Sequence, residues 1–341
     1  MNNVIGSARF DQLLTASNMH LITPFLEDPD VFEVRINKFG QVVCDTISGR
    51  RFHEVEGLTQ GYLDNLLSFL LNQNGLDKQA INNVIFPDGS RGIFCVPPAV
   101  IDGTMLVAIR KHMETSKSLD ELASEGRFSG FEKRTITREV FLEPFEKQLV
   151  EHLDSGDLVK FFRLAVHSRR NIAVAGSTGS GKTTFMRSLM DEIPGEERIL
   201  MLEDVNEIKA KHQQEIGFML YGDQEGRLSA QEALKACKRL TPDRVMMTEL
   251  RDDAAWDYLC LSYSGHPGSI FSTHADSALA TPIRIAQLVK QSKVGAALDW
   301  DVIMRTITSA IDVIVYMEKR QIKEILYDPL GKKRTLAEEV A

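Results

Sequence analysis

A short glycine-rich stretch carries the clearest chemical signal in the sequence. Residues 176–183 read Gly-Ser-Thr-Gly-Ser-Gly-Lys-Thr and match the pattern G-x-x-x-x-G-K-[ST]. Glycines let successive backbone N–H groups face one anion, and a following helix adds partial positive charge. We expect Lys182 to reach the β- and γ-phosphates of a nucleotide and the Thr183 hydroxyl to bind Mg²⁺. The predicted nucleotide contacts are Gly176, Ser177, Thr178, Gly179, Ser180, Gly181, Lys182, Thr183 and Thr184.

Hydrolysis of a bound nucleotide needs more than phosphate binding, because a carboxylate must hold Mg²⁺ or orient water. Three segments at the ends of predicted strands offer suitable groups: Glu203 in 202–207, Glu249 in 245–252 and His274 in 264–275. Ligands of open parallel sheets bind at the carboxyl ends of the strands. Each residue alone is also typical of a solvated loop. Together, behind a phosphate loop and in one sheet, they predict a hydrolytic site.

The elements that position these groups alternate between strands and helices. Short apolar runs occur at 172–175, 199–202, 245–247, 270–271 and 313–316, with helical stretches between most of them. Strands that alternate with helices predict a mostly parallel sheet. One helix can be bounded from sequence, because Ser229 and Glu232 form a capping box and Thr241 with Pro242 ends it. This helix leads directly into the 245–247 strand.

The N-terminal part of the sequence predicts a small mixed α/β unit. Phe32, Val34 and Ile36 alternate with polar residues, which indicates a half-buried strand. Further strands are predicted at 42–44, 92–96 and 105–109. Leucines at helical spacing within 63–71, with Gly75 as a stop, predict an amphipathic helix. Charged and small residues then indicate a linker with a short helix. The predicted domains are 1–113 (α/β), 114–145 (linker) and 146–341 (nucleotide-binding).

The composition is that of an ordinary globular protein. The chain has 341 residues, 43% hydrophobic and 26% charged, and its net charge of −8 argues against a basic DNA-coating protein. Four scattered cysteines without a C-x-x-C pair argue against a disulfide framework or a zinc module. The first residues lack a signal-peptide pattern, and no apolar run approaches the ~18 residues of a membrane span. We therefore expect a cytoplasmic protein whose membrane association is peripheral or through a partner.

The order of these motifs resembles one family, the hexameric secretion ATPases, and within it the traffic ATPases of type IV secretion systems. Four boxes carry the resemblance: the phosphate loop at 176–183, an acidic box at 199–207, a second carboxylate box at 240–251 and a histidine box at 265–275. The segments 86–91 and 107–111 match the N-terminal part of the family. Type II secretion and pilus motors are neighbouring families, and their assembly members usually carry a four-cysteine zinc module that these cysteines cannot form.

The resemblance implies an N-terminal α/β domain joined to a RecA-like ATPase domain with a P-loop. It implies a six-membered ring with ATP between the two domains. Arg91 and Arg110 occupy the motif positions whose arginines approach the phosphates in the family, and His274 of the histidine box is a candidate catalytic residue. An arginine on a mobile domain would meet the γ-phosphate only when the cleft closes. The linker length also fits a subgroup in which the linker changes how domains pair between subunits.

The resemblance leaves the roles of the carboxylates open. Glu249 stands where an aspartate usually holds the water shell of the metal, so it is either a metal ligand or the base. The acidic box offers Glu203, Asp204 and Glu207, and we favour Glu203 as the residue that orients or deprotonates water. The predicted Mg²⁺ ligands are Thr183, Glu249 and Glu203, partly through water.

The leading hypothesis is a Mg-ATP-hydrolysing ring motor that energises substrate translocation or pilus assembly in a conjugation or effector-secretion system. Its partners would be five further copies of the chain, inner-membrane components of the machine and, indirectly, a secreted protein or nucleoprotein. The alternatives are a nucleotide-gated docking scaffold with little turnover, a pilus retraction-type motor and a monomeric small-molecule kinase. Basic runs at 169–170 and 332–334 are typical of solvated faces, so no direct sequence-specific nucleic-acid binding is expected.

Overall fold

The chain folds into two compact units, Met1–Thr135 and Ile136–Ala341. The computed structural model describes Thr15, residues 17–112, 117–133, 139–222, Gln224 and residues 227–340. In these ranges no helix combines the length and the apolar character that crossing a membrane requires. Within the predicted linker, the described residues form a short helix at Leu119–Ser124 and begin a second at Pro144. The boundaries at 113 and 145 stay predictions.

A six-stranded antiparallel sheet forms the centre of the first unit, with the strands in the order β3-β2-β1-β6-β5-β4. Its elements are α1 (Thr23–Glu27), β1 (Val31–Ile36), β2 (Gln41–Thr46), β3 (Gly49–Glu54), α2 (Gln60–Asn74), β4 (Ile81–Ile85), β5 (Arg91–Cys95), β6 (Leu106–Arg110) and α3 (Leu119–Ser124). Leucines of α2 join the buried core of this sheet. The helix begins after Thr59, whose hydroxyl accepts from the Tyr62 N–H, and ends at Gly75 in the left-handed region.

The predicted inside–outside alternation of β1 is wrong. Phe32 is 43% exposed, whereas Glu33 and Arg35 are buried. The register of β1 against β2 shifts between Val31 and Glu33, which changes the face on which the following side chains lie. Arg35 Nη2 donates to Asp45 Oδ1 at 2.7 Å, and its other amine contacts Glu33. Burial would raise the pKa of Asp45, but hydrogen bonds from Arg35 and Arg50 lower it to about 2.

The second unit holds a seven-stranded sheet in the order β13-β12-β7-β11-β10-β8-β9. Its elements are α4 (Pro144–Asp154), α5 (Leu158–His167), β7 (Ile172–Gly176), α6 (Lys182–Met190), β8 (Ile199–Glu203), β9 (Ile216–Leu220), α7 (Ala230–Leu240), β10 (Arg244–Met247), α8 (Asp252–Tyr263), β11 (Ile270–Thr273), α9 (Ala280–Gln291), a 3₁₀ turn (Gly295–Ala297), α10 (Trp300–Ala310), β12 (Val313–Glu318), β13 (Gln321–Leu326) and α11 (Pro329–Val340). All neighbouring strands are parallel except β12 and β13. The predicted mostly parallel sheet is therefore confirmed.

The five predicted strands of this unit all form, and several extend by one or two residues beyond the apolar run. The residues of β7, β8, β10 and β11 are all buried, because helices cover both faces of the sheet. Helix α7 has the predicted capping box between Ser229 and Glu232 and ends at Leu240. Thr241, which precedes Pro242, leaves the helix in the left-handed region with φ 49°. Strands β9 and β13 were not anticipated.

Candidate functional site

The glycine-rich loop connects β7 to α6 and has the backbone shape that an anion site requires. Gly176, Gly179 and Gly181 have φ values of 150°, 75° and 96°, which residues with a Cβ rarely adopt. A Cβ on Gly176 would lie 2.3 Å from the Met317 carbonyl oxygen, so only glycine fits against β12. Gly181 is the N-cap of α6 and no side chain caps this helix end. The first N–H groups of α6 therefore remain directed at the loop, where an anion would bind.

Lys182 lies across this loop. Its Nζ donates to the carbonyl oxygens of Gly176 at 2.8 Å and Ser177 at 3.0 Å. Burial lowers the pKa of the Lys182 ammonium, and the charge of Glu249 opposes that shift. The Ser180 hydroxyl is buried and has no hydrogen-bond partner within the described part of the chain. A triphosphate fits this set of groups, because it would supply acceptors for the ammonium, the hydroxyl and the helix N–H groups.

A cleft of about 890 Å³ opens beside the loop at the carboxyl ends of the parallel strands. Asp204 follows β8, Glu249 follows β10 and His274 follows β11, and all three line the cleft together with Thr183. Parallel strands bring these segments to one edge of the sheet although they are up to about 70 residues apart in sequence. The structure thus places Lys182, Thr183, Thr184, Glu249 and His274, all of them predicted site residues, around one cleft.

Glu249 lies at the centre of a polar network in the cleft. His274 Nε2 is 3.4 Å from Glu249 Oε1, and His274 Nδ1 is 3.1 Å from the Gly176 carbonyl oxygen. Arg251 Nη2 contacts Asp204 Oδ2 at 2.8 Å and Glu249 Oε2 at 3.5 Å. The histidine and the arginine therefore each contact one of the two carboxylate oxygens of Glu249. This arrangement places one carboxylate next to the phosphate loop with a fixed direction.

Glu203 is oriented differently from Glu249. It is fully buried, and its Oε1 accepts from the N–H groups of Glu207 at 3.1 Å and Ile208 at 3.0 Å. Burial raises the pKa of Glu203 to about 7, although the two backbone N–H groups act in the opposite direction. Its side chain does not line the cleft, whereas Asp204 and Glu207 do. Glu203 shapes the segment that carries them, and its role as base or metal ligand stays a prediction.

The two histidines of the predicted histidine box lie at opposite ends of β11. His266 precedes the strand, and burial lowers its pKa. Asn171 Oδ1 accepts from the N–H groups of Gly268 at 2.8 Å and Ser269 at 2.9 Å, which fixes the turn that follows His266. Of the two histidines, His274 lines the cleft. The box therefore combines a turn that positions β11 with one residue of the site.

Arg91 and Arg110 belong to the first unit, where they face each other across β5 and β6. Both residues are exposed. The turn before Arg91 is set by Gly89 at φ 83° and by Asp88, whose side chain accepts from the Ser90 N–H and hydroxyl. The two arginines thus share one place on this sheet, and their approach to phosphates stays a prediction.

Two arginines in or beside the cleft have no role in the sequence predictions. Arg251 belongs to the second carboxylate box, and its position two residues after Glu249 could have identified it as a site residue. Arg320 lies in the turn between β12 and β13 and lines the cleft. No sequence motif marks Arg320, because the pattern does not predict β13.

The donor set also fits Mg²⁺. The Thr183 hydroxyl and the carboxylates of Asp204 and Glu249 are oxygen donors that line one cleft. Among the described residues, no group of three or more His, Cys, Asp or Glu is arranged to hold a metal ion by itself. Mg²⁺ usually takes most of its ligands from phosphates and water and few from protein.

Comparison with known proteins supports the motif-based identification. Residues 147–325 match the family described as type II/IV secretion system protein. The chain is 34% identical to the type IV secretion system protein VirB11 of Brucella suis over 333 residues, covering 93% of this chain and 91% of that protein. It is 34% identical to VirB11 of Bartonella quintana over 336 residues, covering 94% of each.

Among solved structures, the crystal structure of the VirB11 ATPase from the Brucella suis type IV secretion system, in complex with sulphate, superimposes with a TM-score of 0.88 at 32% identity. The match covers 97% of this chain and 99% of that chain. The predicted fold class, an N-terminal α/β domain and a RecA-like P-loop domain, is confirmed. The chain belongs to the type II/IV secretion system protein family and is an ATPase related to VirB11.

Proposed function

We propose that this chain is a Mg²⁺-dependent motor that works as a six-membered ring and uses ATP hydrolysis to drive substrate translocation or pilus assembly in a type IV secretion system. The observation that carries the proposal is the position of Glu249, held by His274 and Arg251 beside a complete phosphate loop. Such a loop binds a nucleotide, and an oriented carboxylate next to it can direct water at the terminal phosphate.

The chemistry assigns a task to each group of the cleft. The N–H groups of the loop and the Lys182 ammonium bind the β- and γ-phosphates. Mg²⁺, held by the Thr183 hydroxyl, would neutralise charge on the phosphates. Glu249 orients a water molecule and accepts its proton while the water oxygen bonds to the γ-phosphorus and the bond to the β–γ bridging oxygen breaks. The products are ADP and inorganic phosphate.

His274 and Arg251 position Glu249, because each contacts one of its carboxylate oxygens. Because His274 also contacts the Gly176 carbonyl oxygen, it links the orientation of the carboxylate to the phosphate loop. We further propose that Arg91 and Arg110 neutralise phosphate charge when the first unit closes on the nucleotide. Glu203 and Glu207 remain the alternative bases, and Glu203 is the less accessible of the two.

The same relationship supports the proposals on assembly and location. Relatives that match over more than nine-tenths of the chain are named as type IV secretion system proteins. We propose a homo-hexamer that binds inner-membrane components of that machine from the cytoplasmic side. The secreted protein or nucleoprotein would contact it indirectly, since the net charge of −8 does not favour direct nucleic-acid binding.

The test is the Lys182→Ala variant of the full chain, assayed for phosphate release with Mg-ATP. We expect hydrolysis to be abolished, while Lys160→Ala, which removes an exposed lysine on α5, retains it. Specific activity measured across protein concentrations should rise on ring assembly, and light scattering with and without Mg-ATP should report the six-membered species. ATP hydrolysis that persists in the Lys182→Ala variant would refute the proposed motor function. Tight nucleotide binding without turnover in the wild-type chain would support a docking scaffold instead.

A further inference from the structure

The turn between β12 and β13 is built from residues that do not favour it. Glu318 pairs with Gln321, so Lys319 and Arg320 form a two-residue turn. Their φ values are 49° and 63°, and positive φ at both central positions is the property of a type I′ turn. Asn-Gly or a similar pair usually supplies that turn, because a Cβ disfavours the left-handed region. Strained backbone at a pair of long cationic residues indicates that one of the two side chains has a function.

The backbone of Arg320 is attached to the phosphate loop. Its N–H donates to the Ser180 carbonyl oxygen at 3.1 Å. The Gly181 position lies directly against it, because a Cβ built there would be 3.4 Å from Arg320 Cα and 3.6 Å from its Cβ and Cγ. Strand β12 also pairs in parallel with β7, with Met317 opposite Gly176. The turn and the loop therefore form one packed unit, and the start of the Arg320 side chain lies on the N-terminus of α6.

The guanidinium of Arg320 differs from the other cations of the cleft in its partners. Lys182 donates to two loop carbonyls, and Arg251 contacts Asp204 and Glu249. Arg320 is exposed and lines the cleft, yet across the described ranges its side chain makes no hydrogen bond or ion pair. A guanidinium presents five donors that match phosphate oxygens in geometry. Its donors are available to a ligand of the cleft.

The strand order indicates which phosphates of a bound nucleotide would lie near Arg320. β7 lies between β12 and β11, so the β12–β13 turn is on one side of the phosphate loop. Glu249 and His274 follow strands on the other side. Bond cleavage takes place where the water-directing carboxylate lies, at the γ-phosphate. Arg320 therefore faces the part of the nucleotide that remains as ADP after hydrolysis.

We infer that Arg320 is a nucleotide-binding residue that donates to the α- and β-phosphates of ATP and of ADP alike. This inference rests on the proposed function, since it assumes that the cleft binds ATP. Binding that is equal in substrate and transition state changes KM and leaves kcat nearly unchanged. The same contact remains after hydrolysis, so Arg320 also sets how tightly the product is held.

The experiment compares full-length variants by titration with a fluorescent ADP derivative (N-methylanthraniloyl-ADP) and by steady-state ATP hydrolysis. Arg320→Ala should raise the Kd for the ADP derivative and the KM for ATP about tenfold or more, with kcat within about threefold of wild type. Arg320→Lys, which keeps the charge but not the forked donors, should fall between the two. Lys319→Ala removes the neighbouring cation of the same turn, and this variant should bind the ADP derivative with wild-type affinity.

The Arg320→Gly variant distinguishes the effect of losing the guanidinium from the effect of disturbing the turn. Glycine favours the left-handed region, so this variant keeps the hairpin while it removes the guanidinium. We expect it to lose affinity as Arg320→Ala does, with a thermal unfolding midpoint at or above that of the wild type. Wild-type affinity in Arg320→Gly, or a fall in kcat at constant KM, would overturn the inference and leave the proposed function intact. A wild-type chain that fails to bind the ADP derivative would overturn both.

Discussion

Replacing Glu203 by glutamine is expected to change how the stability of the second unit depends on pH. Glu203 is fully buried, and burial raises its pKa from the ordinary value of 4.5 to about 7. A raised pKa means that the folded state binds the proton more strongly than the unfolded state. The stabilisation from the protonated carboxyl is therefore fully present below about pH 4.5 and is lost as the pH rises through 7. Glutamine has no such titration.

The expected magnitude follows from these two pKa values. Between pH 5 and pH 8 the wild-type chain should lose about 2 to 3 kcal/mol of unfolding free energy that the Glu203→Gln variant keeps. The amide oxygen of glutamine can still accept from the Glu207 and Ile208 N–H groups. Its NH₂ group would face Asn206, whose own amide can turn to accept. The segment after β8 should therefore keep its conformation in the variant.

The assay is urea denaturation of the full chain at pH 5, 6, 7 and 8, followed by tryptophan fluorescence. The two tryptophans, Trp256 and Trp300, both lie in the second unit, so the signal reports the unit that contains Glu203. Glu151→Gln, which makes the same chemical change at an exposed site on α4, is the control. A difference between Glu203→Gln and wild type that does not change with pH would refute the account of Glu203 as a buried, easily protonated carboxyl.

Two further predictions concern the cleft. Glu249→Gln should lower kcat by about 10²- to 10⁴-fold with ATP affinity largely retained, and phosphate release together with equilibrium nucleotide binding measures this; if Glu203→Gln produces the larger fall, Glu203 is the base. Gly176→Ala should lower the free energy of unfolding by about 3 kcal/mol or more, because its Cβ would meet the Met317 carbonyl oxygen at 2.3 Å. Gly179→Ala, where no heavy atom lies within 4 Å of the added Cβ, should cost less in the same denaturation experiment.

The strands that the sequence did not reveal are the edge strands of the two sheets. β3 and β4 end the first sheet, and β9 and β13 end the second. A central parallel strand is buried on both faces and is therefore a continuous apolar run, as in β7. In an edge strand such as β13 all residues are exposed or half-buried, and polar side chains are mixed with apolar ones, so no continuous apolar run marks the strand. The predictable part of the fold was thus the part with the greatest burial.

The candidate site shows the same division. Its backbone part was predictable, because glycines with positive φ and a lysine at fixed spacing form a local motif. The direction of each acidic side chain was not. Glu203 and Asp204 are adjacent in sequence, yet hydrogen bonds within the 204–208 segment turn Glu203 into the interior while Asp204 lines the cleft. The place of Arg320 in the site could not be predicted for another reason, because only the pairing of β12 with β7 brings this residue to the loop.

The Gly176 carbonyl oxygen has two donors, the ammonium of Lys182 and the ring of His274. An ammonium has three N–H donors, and the carbonyl oxygens of Gly176 and Ser177 accept from two of them, so a third remains for a phosphate oxygen. Lys182 can therefore bind a phosphate while it still supports the loop, and its ammonium is in place before the nucleotide binds. Because His274 contacts both this carbonyl oxygen and Glu249, the phosphate loop and the carboxylate belong to one connected set of polar contacts.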